Sequence, residues 1–306
     1  MESSMESSGE PRARASRIGA QRRLARSMGW GAVCLVFAAA CASPPSPPWI
    51  PPVTTTPTEN LAPGKFVWSD LVTQDVEAAK SFYAALFGWT FIDGDRYTQI
   101  LRDGTAIGGI LKAGRLGNSS EWVGNLSVLD VDSAVERARK QGAVIETEPV
   151  DAPDRGRIAV VADPEGALVL LLRASDGDPA DADVPFNSFL WWELWSQDAD
   201  SAAKFYAELA GYDVETIEFR GAPYRVLKGN SRPRAGVLAA PPEVPPQWLP
   251  YVRVADVDSL TDRAAELGAR VVLRDERSAI LVDPTGAPIA IQVWERSDRL
   301  GVKEQR

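Results

Sequence analysis

The chain of 306 residues has no histidine, two cysteines and a deficit of basic side chains, 33 Lys and Arg against 42 Asp and Glu. Without histidine there is no imidazole for a Ser-His-Asp triad, for a base poised near neutral pH, or for metal ligation. A net charge of -9 argues against a broad nucleic-acid or anionic-lipid surface, because both require a positive face; no nucleic-acid partner is expected. Both cysteines, Cys34 and Cys41, lie near the N-terminus. No cysteine follows residue 41, so thiol nucleophiles, disulfides and Cys-ligated zinc are not expected in the folded part. What is present describes a globular protein: 45% hydrophobic and 25% charged residues, in a length suited to about two domains.

The charge is unevenly placed. Residues 1–40 hold six arginines (12, 14, 17, 22, 23 and 26) against Glu2, Glu6 and Glu10, which makes the leader +3 and the remainder -12. Met28 to Ala40 is an apolar stretch of thirteen residues, too short for a stable bilayer span but suited to the core of a secretory signal peptide over 1–40. Phe37-Ala38-Ala39-Ala40-Cys41 resembles a bacterial lipobox. That resemblance implies lipidation of Cys41, a membrane partner through the anchor, and an exported cell-envelope lipoprotein. With no Asp after the cysteine, it implies the outer membrane, facing the periplasm. Residues 42–64 carry eight prolines, so 41–64 is expected to be an extended spacer after the lipidated Cys41.

Self-comparison decides the rest. Phe82-Tyr83-Ala84-Ala85-Leu86-Phe87-Gly88-Trp89 matches Phe205-Tyr206-Ala207-Glu208-Leu209-Ala210-Gly211-Tyr212, and Trp68, Asp70, Leu71 and Asp75 recur at the same offset as Trp191, Glu193, Leu194 and Asp198. Two copies are therefore expected, 65–173 and 187–296, with a linker at 174–186 and a tail at 297–306. Each copy is itself double, since Asp130-Val131-Asp132 and Asp256-Val257-Asp258 echo Asp75-Val76-Glu77 and Asp198-Ala199-Asp200. An Asp followed by an acid suits a helix N-cap and first turn. Gly88, Gly142, Gly211 and Gly268 stand where left-handed C-caps belong. Ala79, Phe82, Tyr83, Leu86 and Phe87 have helical spacing and read as core. Short β runs and Asp-Gly or Asp-Pro-x-Gly turns follow, giving an α+β unit, βαβββ, four times over.

These motifs, a Trp-x-[Asp/Glu]-Leu strand, then Asp-x-[Glu/Asp]-x-Ala-x-x-Phe-Tyr, then a late Asp-Pro-x-Gly turn, resemble the vicinal oxygen chelate superfamily of glyoxalases, bleomycin-resistance proteins and extradiol dioxygenases. The resemblance implies two domains, each pairing two modules into a cup-shaped mixed sheet with helices outside and a ligand cavity inside. It also implies metal ligands seven residues before each helix-capping Asp and seven after the Asp of each Asp-Pro-x-Gly turn. Those positions hold Trp68, Val123, Trp191, Leu249, Leu170 and Ala290, none of which binds a metal. No metal and no cofactor are expected, and histidine-metal glyoxalase or dioxygenase chemistry is disfavoured.

Strand alternation assigns the faces. Trp68, Asp70, Val72, Val123, Asn125 and Ser127 should face the first cup, together with Leu168, Leu170 and Leu172. The second should be faced by Trp191, Glu193, Trp195, Leu249, Tyr251 and Arg253, together with Ala290, Gln292 and Trp294. Asp70 and Glu193 are the candidate catalytic bases, or else carboxylates satisfied by neighbours, Asn125 or Ser127 in one cup and Arg253 or Tyr251 in the other. The candidate ligand-binding residues are Trp191, Trp195, Tyr251, Arg253, Gln292 and Trp294, with Trp68 and Asn125 in the first cup. The leading expectation is a metal-free protein that binds a small aromatic or cationic molecule. A glyoxalase-like lyase, isomerase or hydroxylase and a non-catalytic envelope interaction module remain as alternatives.

Overall fold

The computed structural model describes residues 50–113 and 120–295; the leader, Cys41 and the tail lie outside the described residues. Among the described residues no helix is long and apolar enough to cross a membrane. The chain folds as the four expected βαβββ modules. The first is β1 (Phe66–Thr73), α1 (Val76–Phe87), β2 (Thr90–Asp93), β3 (Tyr97–Arg102) and β4 (Thr105–Lys112), and the second is β5 (Glu121–Ser127), α2 (Val131–Lys140), β6 (Val144–Ala152), β7 (Gly156–Ala162) and β8 (Leu168–Ala174). The third is β9 (Ser188–Ser196), α3 (Ala199–Ala210), β10 (Asp213–Phe219), β11 (Ala222–Gly229) and β12 (Arg232–Ala239), and the fourth is β13 (Gln247–Arg253), α4 (Val257–Glu266), β14 (Arg270–Arg274), β15 (Ser278–Val282) and β16 (Pro288–Gln292).

The helices begin where the acidic triplets place them. Asp75, Asp130, Asp198 and Asp256 each accept a hydrogen bond from the backbone N–H three residues on, at 3.0, 2.6, 3.1 and 3.1 Å, which satisfies one of the donors a helix start leaves free. α1 and α3 end at Gly88 and Gly211 with φ of 70° and 73°, a left-handed turn that costs glycine nothing. α2 and α4 are capped at Gln141 and Leu267, and the glycines that follow, Gly142 and Gly268, take left-handed backbone with φ of 89° and 92°.

Two modules share each mixed sheet of eight strands. The orders are β2-β3-β4-β1-β5-β8-β7-β6 and β10-β11-β12-β9-β13-β16-β15-β14. The seam is antiparallel, β1 on β5 and β9 on β13, so each cup forms within one domain and its two modules are related by a local two-fold axis through the middle of the sheet. One continuous core joins the domains: Leu71, Trp122 and Leu171 of the first sheet belong to the same buried cluster as Leu194, Trp248 and Ile291 of the second. Phe66 stacks on Trp192 at 5.1 Å.

The two segments expected to be linkers bond to one another and pack on the folded part, the first of them on the first domain, while the second also pairs Asp181 with Arg234 of β12. Thr58 N–H donates to the Asp176 carbonyl, Ala62 N–H donates to the buried Asp178, and Lys65 bonds the Pro179 carbonyl at 2.6 Å. Ile50 and Val53 are buried in one cluster with Trp68, Val123, Leu170 and Leu172, the cup-facing side chains of the first sheet. Residues 50–64 are therefore a strap over the first cup, not a free spacer. Proline-rich composition reports local stiffness and is silent about the apolar side chains between the prolines.

Candidate functional site

Both cups are built around one buried carboxylate on the strand at the seam. In the first, Asp70 is 2% exposed and accepts from Tyr97 Oη at 2.7 Å, Trp68 Nε1 at 3.1 Å and Asn125 Nδ2 at 2.9 Å. In the second, Glu193 is 6% exposed and accepts from Tyr251 Oη at 2.7 Å, Tyr224 Oη at 2.9 Å and Trp195 Nε1 at 3.0 Å. The tryptophan two residues before each carboxylate ties the same tyrosine: Trp68 Nε1 donates to Tyr97 Oη at 2.8 Å and Trp191 Nε1 to Tyr224 Oη at 3.0 Å. The repeated unit is thus a Trp-Tyr-carboxylate triad.

Tyr97 and Tyr224 were not among the residues singled out from sequence. They sit on β3 and β11 and reach the carboxylate by lying flat across the neighbouring strand. A Cβ at Gly109 would come within 1.9 Å of Tyr97 Oη, and one at Gly236 within 1.7 Å of Tyr224 Oη, so those two glycines make the path. The signal was present, because Tyr97 with Gly109 and Tyr224 with Gly236 recur at one common spacing.

The cups differ in what covers them. The first is filled: besides Ile50 and Val53, Arg155 from the turn after β6 is 1% exposed, its guanidinium 4.5 Å from the Trp68 ring and Nη2 3.4 Å from Tyr97 Oη. Ser127, a possible partner of Asp70 by face, donates instead to Asp178 at 2.6 Å. The second has a smaller apolar floor of Leu249, Ile280 and Ala290, with half-buried Trp195 and Tyr251 against it. Its rim strands β10 and β14 expose Val214, Phe219, Val271, Val272 and Leu273. Arg253 does not join Glu193. Its Nε donates to the Trp294 carbonyl at 3.0 Å, its Nη1 to the Val184 carbonyl, and its guanidinium lies 4.6 Å over Phe186. Gln292 is its register partner, so Arg253, Gln292 and Trp294 form a separate group at the strand ends that pins residues 184–186.

Burial pushes the Glu193 carboxyl above its usual range, against the pull of bonds from Tyr251, Trp195 and Tyr224. Burial, with the carboxylate beside them, drives the Tyr224 and Tyr251 phenols well up, which keeps them neutral donors. A metal of the kind the fold family carries does not fit. The equivalent positions present indole and alkyl groups, and among the described residues no three His, Cys, Asp or Glu side chains converge. The carboxylate oxygens are spent on phenol and indole donors and, for Asp70, on the Asn125 amide instead.

The comparisons agree with this fold. A family model described as Glyoxalase/Bleomycin resistance protein/Dioxygenase superfamily matches residues 65–171, and one described as Glyoxalase-like domain matches 193–292. CFP32 of Mycobacterium tuberculosis (strain CDC 1551 / Oshkosh), whose name suggests a glyoxylase, is 32% identical over 241 residues, 73% of this chain and 92% of that protein. The anthracycline biosynthesis protein DauV of Streptomyces sp. (strain C5) is 28% identical over 257 residues, 76% of this chain and 94% of the other. The Mn(II)-bound glyoxalase from Novosphingobium aromaticivorans superimposes with a TM-score of 0.54 at 18% identity, over 76% of this chain and 84% of that one. For 2,2',3-trihydroxybiphenyl 1,2-dioxygenase from Sphingomonas wittichii strain RW1 the TM-score is 0.56 at 14% identity, over 76% and 91%. The chain belongs to the glyoxalase/bleomycin resistance protein/dioxygenase superfamily, as a tandem of two such domains.

Proposed function

We propose that this protein binds a small aromatic molecule in the cup of its second domain. The observation that carries the reading is the asymmetry of two otherwise matching cups. The chain's own Ile50, Val53 and Arg155 fill the first, while the second keeps Trp191, Trp195 and Tyr251 half-buried around its carboxylate. Such aromatic walls with a few convergent polar groups suit a flat, apolar ligand. Three donors already serve Glu193, so a cationic ligand is not needed to satisfy it. Similarity to a protein named for anthracycline biosynthesis is in keeping with an aromatic ligand. Titration with the fluorescent probe N-phenyl-1-naphthylamine is expected to saturate at one site per chain and to weaken at least about tenfold in Trp195→Ala, the scale of losing one aromatic anchor. Binding indifferent to Trp195→Ala and to Tyr251→Ala sinks the proposal.

A second reading, a glyoxalase-like lyase, isomerase or hydroxylase with Glu193 as base, is favoured by the raised pKa of that carboxyl between two phenols. Under it, Glu193→Gln abolishes turnover and leaves probe binding in place. Export and lipid anchoring belong to the proposal as well, supported by the basic leader, the apolar run and Phe37–Cys41. Incorporation of labelled palmitate, lost in Cys41→Ala, is the expected result, and equal labelling of both forms refutes the anchor.

A further inference from the structure

The tips of the two outer hairpins of the second domain meet above its cup. β10 and β14 are the end strands of their sheet, and the turns that follow them are corresponding parts of modules three and four. Because those modules are related by a two-fold axis through the middle of the cup, corresponding tips can touch only near that axis, over the floor that holds Glu193. They do touch: Arg220 Nη1 lies 2.8 Å from Asp275 Oδ2.

The pairing is built to open. Arg220 and Gly221 both take left-handed backbone, φ 54° and 76°, which makes a tight two-residue hairpin turn whose side chains are set by the turn itself. The Arg220 side chain is 54% exposed and rests on the Phe219 ring, 5.2 Å away. An ion pair this exposed is weak and screened by salt. Asp275 does not depend on it, since it also accepts from Arg277 N–H at 2.8 Å, Ser278 N–H at 2.9 Å and Ser278 Oγ at 2.9 Å. Arg220 also lies near enough to the cup for its charge to act on both Glu193 and Tyr251. The first cup shows how far a tip arginine can reach: Arg155, on the hairpin after β6, enters it and lies over Trp68.

We propose that Arg220 determines the specificity of the second cup, and that the ligand is an aromatic molecule bearing an anionic group, a carboxylate, sulfonate or phosphate. The ring enters among Trp195 and Tyr251, and the anion takes Arg220 from Asp275, which draws the tip onto the ligand. This rests on the second cup being the ligand site, and the test separates the two.

Two dyes share one aromatic body and differ in charge, 8-anilinonaphthalene-1-sulfonate and the uncharged N-phenyl-1-naphthylamine. Arg220→Gln is expected to weaken the sulfonate dye at least about tenfold and the uncharged dye less than about twofold, the loss of one charge-assisted contact. Asp275→Asn is expected to tighten the sulfonate dye severalfold, and added salt to weaken that dye alone. If the uncharged dye binds in a Trp195-dependent way but Arg220→Gln moves both dyes equally or neither, the role of Arg220 is refuted and the cup reading stands. If neither dye responds to Trp195→Ala or to Tyr251→Ala, both fall. Arg220 is exposed, and a circular dichroism spectrum shared with the wild type shows that the variant is folded.

Discussion

Glu193 links stability to pH. Burial raises its pKa in the folded state above the ordinary glutamate value, so in the interval between the two values the unfolded chain is ionised while the fold holds the proton. Stability is then greatest below the ordinary glutamate range and is lost as pH rises through the folded value, with no further change above it. The amide introduced by Glu193→Gln cannot ionise. Between pH 4 and pH 7.5 the wild type is expected to lose stability relative to that variant, as read by urea unfolding of both at each pH. Other titrating groups cancel in that difference, and a gap that stays constant contradicts the shifted carboxyl. At this scale the sequence was half legible. Asp70 and Glu193 stood out by repetition, yet their tyrosine partners on β3 and β11 did not, because a side chain lying across the adjacent strand obeys the glycine beneath it more than its own strand's alternation.

Helices α1 and α3 carry a second pair of networks, and these cross the domain boundary. Tyr83 Oη donates to Asp283 at 2.8 Å and receives Trp122 Nε1 at 3.0 Å. Tyr206 Oη donates to Asp163 at 3.1 Å and receives Trp248 Nε1 at 2.8 Å. Each acceptor is the Asp of an Asp-Pro-x-Gly turn, whose other oxygen holds two backbone N–H groups of the turn. Helical spacing identified Tyr83 as core, and the repeat matches Tyr206 to it, but an apolar period carries no information about where a hydroxyl ends. Tyr206→Phe leaves a buried indole N–H and a carboxylate oxygen short of a partner, and is expected to cost about 1–3 kcal/mol. Because the bond joins the domains, the loss should appear as a lower midpoint of one thermal transition in calorimetry. A second transition in the wild type would contradict the shared core.

As a whole, the molecule places its two domains back to back on a common core, with the cups facing away from it. The fourfold βαβββ architecture, the N-caps and the superfamily were written in the chain, since capping acids, helical periods and turn glycines act over a few residues and repeat with the modules. The unsuitability of the cups for metal was also written there, because a ligand position occupied by Trp, Val, Leu or Ala binds no metal whatever surrounds it. The different linings of the two cups were legible too, but tertiary structure alone decided what covers each. Whether Ile50 and Val53 extend away from the domain or fold into the first cup, whether Arg253 meets Glu193 or the carbonyls at 184 and 294, and whether Arg220 meets Asp275 are contacts between segments far apart in sequence. Their energies depend on burial and on a shared axis that no local pattern encodes.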